Sequence, residues 1–302
     1  MLERLAEFLE RVISSGLTVL KVLIRSKLKA SFHSLENLRS SNKLFVLGNG
    51  PSLKHFLDQD LSVLKGADAL CVNYFARTKE YIQVKPSHYV IVSPQYWHNK
   101  DNPEWKKERD AIFKTIADST QWDMILHVPA IALENEKWRS EIDLNAYIRI
   151  NYFNTTPVEG LAQINNFFYS KGLGMPRPHN VLVGSLFLSI RMGYKEVYVY
   201  GADHSWLKDI FVAEDNMVYL SQKHFYDNQV DSSDHYAGSN RRPMYSTDKN
   251  EVRKLHEVLY KFTVTFKSYW ELERYASKKA ISINNCTPNS FIDAFSRIKN
   301  PF

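Results

Sequence analysis

The feature that most constrains this chain is a series of short apolar runs, each closed by a break and followed by a segment long enough to cross back. Lys43-Leu44-Phe45-Val46-Leu47, Ala69-Leu70-Cys71-Val72, His88-Tyr89-Val90-Ile91-Val92, Met124-Ile125-Leu126-His127-Val128 and Glu196-Val197-Tyr198-Val199-Tyr200 read as strands buried on both faces. Parallel strands need crossovers of roughly a dozen residues or more, and the spacers here supply them. Val181 to Met192 is apolar all round and predicts a buried helix ending at Gly193, just before the fifth run. From Asp248 to Ser277 helical spacing returns through Val252, Leu255, Leu259 and Phe262, and Ala280-Ile281-Ser282-Ile283 reads as a last strand. The pattern predicts an α/β, Rossmann-like fold: a mostly parallel sheet with helices on both faces.

A chain of 302 residues with 44% hydrophobic content can bury a full core. Its organisation reads as an N-terminal amphipathic helical extension over residues 1–41 and one nucleotide-binding α/β domain over 42–302. Tyr152 to about Pro178, and His204 to Asp248, lack a clean period and are rich in aromatic, Asn and Gly residues. Both are expected to be irregular, the second (about 204–248) as a lid-like segment.

In the extension, Leu2, Leu5, Leu9, Val12, Ile13, Leu20, Leu23, Ile24 and Leu28 recur at helical spacing and are interrupted at Ser14-Ser15-Gly16. One or two helices are expected. Residues 17–29 carry Lys21, Arg25, Lys27 and Lys29 with no acid, which suits peripheral contact with anionic lipid headgroups. Packing on the domain, or on a second subunit of a homo-oligomer, is the competing expectation. A net charge of +6 is small for this length, so nucleic acid is not expected as a partner. Cys71 and Cys286 lie far apart and outside any metal-ligand spacing, and no run of 18 apolar residues occurs. The expectation is a reduced, cytoplasmic compartment.

Two turns could carry chemistry. In Gly48-Asn49-Gly50-Pro51-Ser52-Leu53 the glycines permit a tight bend, and a following helix would offer unpaired N–H groups to a phosphate. The word is neither the dinucleotide fingerprint nor a classical P-loop. Gly201-Ala202-Asp203-His204 follows the fifth strand, where ligands collect in open α/β sheets. Asp203 and His204 could act as a base and its orienting carboxylate, or Asp203 could cap a turn and leave His204 alone facing the cleft. His224, His235, Arg241 and Arg242 fall in the lid-like segment. A metal site from Asp203, His204, His224 and His235 has no local spacing to support it.

Taken together, Phe45 to Lys54, Cys71-Val72-Asn73-Tyr74-Phe75, Met192 to Tyr198 running into Gly201-Ala202-Asp203, and Thr287-Pro288-Asn289-Ser290 resemble, in the same order, the single-domain bacterial sialyltransferases of lipooligosaccharide. The likeness spans about Lys43 to Ser296 and implies a GT-A-like variant of the Rossmann-like fold. It implies an inverting, metal-independent glycosyltransferase without a cofactor. The donor would be a CMP-activated sialic acid or related keto-sugar acid, and the acceptor a surface glycan or glycolipid at the cytoplasmic face of the inner membrane. Donor contacts would carry over to Gly48, Asn49, Gly50, Ser52, Asn73, Asn289 and Ser290. Asn180 would sit close to the donor, and Ser93-Pro94 stands where the family has Asn-Pro. The family's catalytic histidine follows a His-Tyr-x-Gly word, but here His235-Tyr236-Ala237-Gly238 is followed by Ser239. The base would then be His204 or His235, with Asp203 beside it. The same glycine word also resembles the group of 6-hydroxymethylpterin diphosphokinases and motility accessory factors. That likeness implies ATP, with Mg²⁺ on Asp203 or Asp68. A nucleotide-binding protein without catalysis is the third reading.

Overall fold

The computed structural model describes residues 2–59, 61–98, 103–134, 136–221, 223–227, 242–246 and 251–299. Along the chain come α1 (Leu2–Arg25), β1 (Lys43–Leu47), α2 (Leu53–Leu57), β2 (Asp68–Val72), α3 (Glu80–Val84), β3 (His88–Val90), α4 (Gln95–His98), α5 (Pro103–Ser119) and β4 (Met124–Pro129). Next are α6 (Ser140–Asp143), β5 (Ile148–Phe153), α7 (Ala162–Lys171), α8 (Val181–Arg191) and β6 (Glu196–Tyr200). Five short strands follow: β7 (Phe211–Val212), β8 (Val218–Leu220), β9 (Arg242–Pro243), β10 (Tyr245–Ser246) and β11 (Glu251–Val252). The chain closes with α9 (Leu255–Lys278), β12 (Ser282–Asn285) and β13 (Ser296–Arg297).

The central sheet has eight strands in the order β13-β12-β6-β1-β2-β3-β4-β5, and all its pairings are parallel. Strand order reverses between β1 and β6, with β2 to β5 running outward on one side and β12 and β13 on the other. Alternate residues of β1 serve two cores. Leu44 and Val46 pack with α8, α9 and Tyr169 of α7, whereas Phe45 and Leu47 pack with α2 and α5. Helices therefore cover both faces, as the strand pattern requires.

The sequence reading of Tyr152 to Pro178 as irregular is corrected, because the segment contains the end of β5 and the whole of α7. Edge strand β5 is only half buried along its length, so its polar Arg149 and Asn151 interrupt the apolar run that marks the inner strands. In α7 the inward positions are Asn165, Phe168 and Tyr169, and a buried asparagine breaks the expected stripe.

The N-terminal segment is one helix, continuous through Ser14-Ser15-Gly16. Its inward stripe is small and polar. Ser15 Oγ donates to Arg11 O and accepts from Leu161 N, while Thr18 Oγ1 donates to Glu159 O at 2.7 Å and accepts from Glu159 N at 3.0 Å. The break expected at the serines is thus the docking stripe itself. Among the described residues no helix is long and apolar enough to cross a membrane.

Candidate functional site

The turn after β1 and the turn after β6 are bonded to each other. Gly48 N donates to Tyr200 O and Gly50 N to Gly201 O, each at 2.8 Å. A Cβ at Gly48 would lie 2.6 Å from Gly201 O, and one at Gly50 would overlap the Asp203 carboxylate and lie 2.7 Å from Gly201 O. The glycines are needed for this backbone contact. Asp203 Oδ2 then accepts from Ser52 Oγ at 2.8 Å and from Ser52 N at 3.4 Å, so a carboxylate of the chain occupies the position expected for a phosphate. Burial raises the Asp203 pKa, and the Ser52 hydroxyl and amide oppose that rise. Gly48, Gly50 and Ser52, expected at a phosphate, take part here in an internal clamp with Asp203.

The residues expected from Asn180 and the Thr287 to Ser290 word serve the same clamp. Thr287 Oγ1 accepts from Ala202 N at 3.0 Å, and Ser290 Oγ donates to Ala202 O at 2.6 Å. Asn180 Oδ1 caps α8 by accepting from Val183 N at 3.0 Å, and its Nδ2 faces the Tyr269 hydroxyl and His204 Nε2. The polar groups of Ser290 and Asn180 thus have partners within the chain. Asn289 is exposed at the tip of this turn, in the left-handed backbone region at φ 53°.

His204 does not face an open cleft. It is 8% exposed, its ring lies 4.2 Å from that of Trp206, and Nε2 is 2.6 Å from Tyr269 Oη. Desolvation lowers its pKa to about 3. Asp203 and His204 make no Asp–His pair, since one side chain turns to Ser52 and the other to α8 and α9. As a base, His204 would have to act from a buried ring whose Nε2 meets Tyr269 Oη and whose pKa desolvation lowers. His235 lies outside the described residues, as do Tyr236 to Ser239 and Arg241.

A different group emerges at the carboxyl ends of β1 and β2. Asn49 Nδ2 donates to Val72 O at 3.1 Å, which orients the amide and leaves Oδ1 as its acceptor end. Asn73 sits at φ 50°, and its carbonyl accepts from Tyr89 Oη at 2.6 Å while that oxygen accepts from Ala76 N at 2.8 Å. Asparagine tolerates this left-handed conformation better than most side chains. Asn49 Oδ1 and Asn73 Oδ1 are both buried without a hydrogen-bond partner among the described residues, as are Ser221 Oγ and Asp227 Oδ1. Phe225 N donates to Asn49 O at 3.1 Å, and the Phe225 ring packs 5.5 Å from Phe75, which brings residues 223–227 against the segments that carry the two asparagines. Ser93 follows β3 on the same edge of the sheet, half-buried, with its carbonyl accepting from Tyr96 N at 3.1 Å.

His224 belongs to that covering segment. Its ring stacks on Tyr226 at 5.1 Å and 2°, Nδ1 is 3.4 Å from Asp227 Oδ1, and its amide donates to Asp227 Oδ2 at 2.9 Å. The sequence names His224 only as one of several lid histidines. Its signal is the Asp three residues on, in a turn that puts the carboxylate back beside the ring.

A cavity of about 850 Å³ opens on the α2 face of the sheet, lined by Phe45, Ser52, Phe56, Tyr200, Gly201 and Cys286 among others. Asn49, Asn73, Asp203 and His204 are not among its lining residues. Asp68, the alternative metal ligand, begins β2, whereas Asp203 follows the end of parallel β6, so the two lie at opposite edges of the sheet. Asp68 accepts from Ser40 N at 2.8 Å, Ser40 Oγ at 2.5 Å and Tyr194 Oη at 2.7 Å. Among the described residues no group of three or more His, Cys, Asp or Glu side chains comes together as a metal site.

No family model matches the chain, and no curated protein matches it. Among solved structures, a MAf glycosyltransferase from Magnetospirillum magneticum AMB-1 is similar, with 12% identity over 89% of this chain and a TM-score of 0.48. The chain spans 35% of the length of that protein.

Proposed function

We propose that the chain is a glycosyltransferase that takes its sugar from a CMP-activated donor and binds the nucleoside of that donor at the carboxyl ends of β1 and β2. The observation that carries the reading is that the buried amide oxygens of Asn49 and Asn73 have no hydrogen-bond partner among the described residues. Each unpaired buried acceptor costs about 1–3 kcal/mol, a cost that persists where a ligand removes it. An acceptor pair calls for donors, such as ribose hydroxyls or a base amino group, rather than for phosphate oxygens. The residues lie in two of the four words through which the sequence resembles the lipooligosaccharide sialyltransferases.

In this reading His224 is the base, and the Asp227 carboxylate 3.4 Å from its Nδ1 is a charge partner for the imidazolium rather than a hydrogen-bonded orienter. The imidazole takes the proton of an acceptor hydroxyl, the resulting oxygen bonds to the anomeric carbon, and the sugar–phosphate bond breaks with its electron pair leaving on CMP. The sugar would be a sialic-acid-like or other keto-sugar acid, and the acceptor a surface glycan. General-base assistance of this kind contributes roughly 10²- to 10⁴-fold.

Calorimetry with CMP in the absence of divalent metal tests the binding half. Asn73→Gly keeps the left-handed backbone accessible and deletes the amide, so binding should weaken at least tenfold with no loss of thermal stability. Binding of ATP only with Mg²⁺, and none of CMP, would refute the reading and favour the diphosphokinase. For the catalytic half, His224→Ala should retain CMP binding and lower transfer by two orders of magnitude or more. Full transfer by that variant refutes the base assignment alone.

A further inference from the structure

The helix α1 is docked with its apolar face outward. An amphipathic helix on a soluble domain normally buries its apolar stripe and leaves polar residues to water. Here Ser15, Thr18 and Ser26 turn to the body with Val22, and Ser26 Oγ donates to Leu173 O at 2.5 Å. Leu9 is 51% exposed, Ile13 65%, Leu20 54%, Leu23 77% and Ile24 70%. At 100° per residue these positions, with Leu5, Val12 and Leu17, occupy one broad arc beside the docking stripe. An exposed contiguous apolar surface of this length marks a partner.

Charge and aromatic placement identify the partner. Beyond Leu17 the helix and the segment after it carry Lys21, Arg25, Lys27 and Lys29 without an acidic residue through Leu35. Lys21 is tied to Glu159 and Lys27 to Glu134, whereas Arg25 and Lys29 are exposed. Leu28 is 71% exposed and Phe32 61%. Phe32 N donates to Lys171 O at 2.8 Å, which sets this ring beside the end of α7, where Phe167 is 54% exposed and Lys171 is exposed as well. Aromatic side chains and cations together at one end of an apolar face are the composition of a membrane–water interface.

We propose that α1 lies in the plane of an anionic bilayer surface, with Leu9, Ile13, Leu20, Leu23 and Ile24 among the acyl chains and Arg25, Lys29 and Lys171 at the headgroups. The helix does not cross the bilayer. The polar stripe through Ser15 and Thr18 keeps it fixed to the domain, so the whole domain is held against the surface. This inference is independent of the donor reading and of the base assignment.

Co-sedimentation of the full chain with vesicles tests it. Vesicles of phosphatidylcholine with about one third phosphatidylglycerol should bind the protein, and pure phosphatidylcholine vesicles much less. Each basic residue near an anionic surface contributes about a fivefold factor in partition, so Arg25→Gln/Lys29→Gln should bind at least tenfold more weakly to the charged vesicles. Leu20→Glu/Leu23→Glu should abolish vesicle binding. These residues are exposed, and an unchanged thermal melt in solution confirms that each variant is folded. The inference is overturned if the folded wild-type chain ignores charged vesicles, or if light scattering shows a stable dimer that Leu20→Glu/Leu23→Glu dissociates while vesicle binding is unaffected.

Discussion

Acid should destabilise this protein well above the pH at which its carboxylates titrate, and His204 shows why. Its pKa is held at about 3 by desolvation, while in the unfolded chain it returns to about 6.5. Between those values the unfolded state binds a proton that the folded state does not, so stability falls as pH drops through 6.5 and goes on falling toward 3. At pH 5 the unfolded form gains about 1.5 pH units of protonation free energy, about 2 kcal/mol from this one ring. His88, lowered to about 4 by desolvation, and buried His127 are shifted in the same direction and add to the loss. Against a total stability of about 5–15 kcal/mol, these terms are large. The assay is urea unfolding at pH 7 and pH 5, for the wild type and for His204→Asn. Asparagine suits the backbone at φ 52°, does not titrate, and can accept from Tyr269. With a slope of about 3 kcal/mol per molar urea, the variant should recover roughly 0.7 M of the wild-type drop in midpoint. If the variant loses as much stability between pH 7 and 5 as the wild type, His204 titrates normally in the fold and the case against it as a base fails.

Two further substitutions probe the clamp. Gly50→Ala forces a methyl into the Asp203 carboxylate and toward Gly201 O, and thermal or urea unfolding should register a loss of about 3 kcal/mol. Asn180→Ala removes the cap on α8 and the amide that meets Tyr269 and His204; a loss of about 1 kcal/mol is expected from the cap alone, with CMP binding unchanged in calorimetry.

Much of the fold was legible because apolar runs dictate it. β6 was placed residue for residue at Glu196 to Tyr200, and β1 at Lys43 to Leu47, since an inner parallel strand must be apolar on both faces. Edge strands escape that demand. β5 carries Arg149 and Asn151, and Asn151 Nδ2 lies 2.9 Å from His127 Nδ1 within a buried polar chain that continues to His88 at 3.1 Å and Tyr194 at 2.8 Å. A polar network inside a sheet mimics a loop in sequence. The reversed helix α1 was readable as amphipathic, but not as to which side faces the body, because that depends on Glu159 and Leu161 far along the chain.

A glycine turn is ambiguous in sequence for a physical reason of general use. Close backbone approach needs glycine whether the approaching atoms belong to a phosphate or to another turn of the same chain, and local spacing does not distinguish them. What distinguishes them is the remote partner: Asp203, 151 positions after Ser52, supplies the anion internally. With that anion in place, a ligand's negative charge there would meet a carboxylate, and in the reading proposed above the nucleoside is held at Asn49, in the same turn, and Asn73, whose amide oxygens have no partner among the described residues. The polarity of the recognition inverts with it. A site built to bind the phosphate first would tolerate any nucleotide, whereas paired buried acceptors discriminate by hydroxyl and amino pattern. Removing one donor from the ligand then leaves an acceptor unpaired and costs about 1–3 kcal/mol. Calorimetry with 2′-deoxy-CMP, 3′-deoxy-CMP and uridine monophosphate beside CMP should therefore show at least one analogue weakened about tenfold; equal affinities for all four would mean that the asparagine oxygens touch no part of the nucleoside.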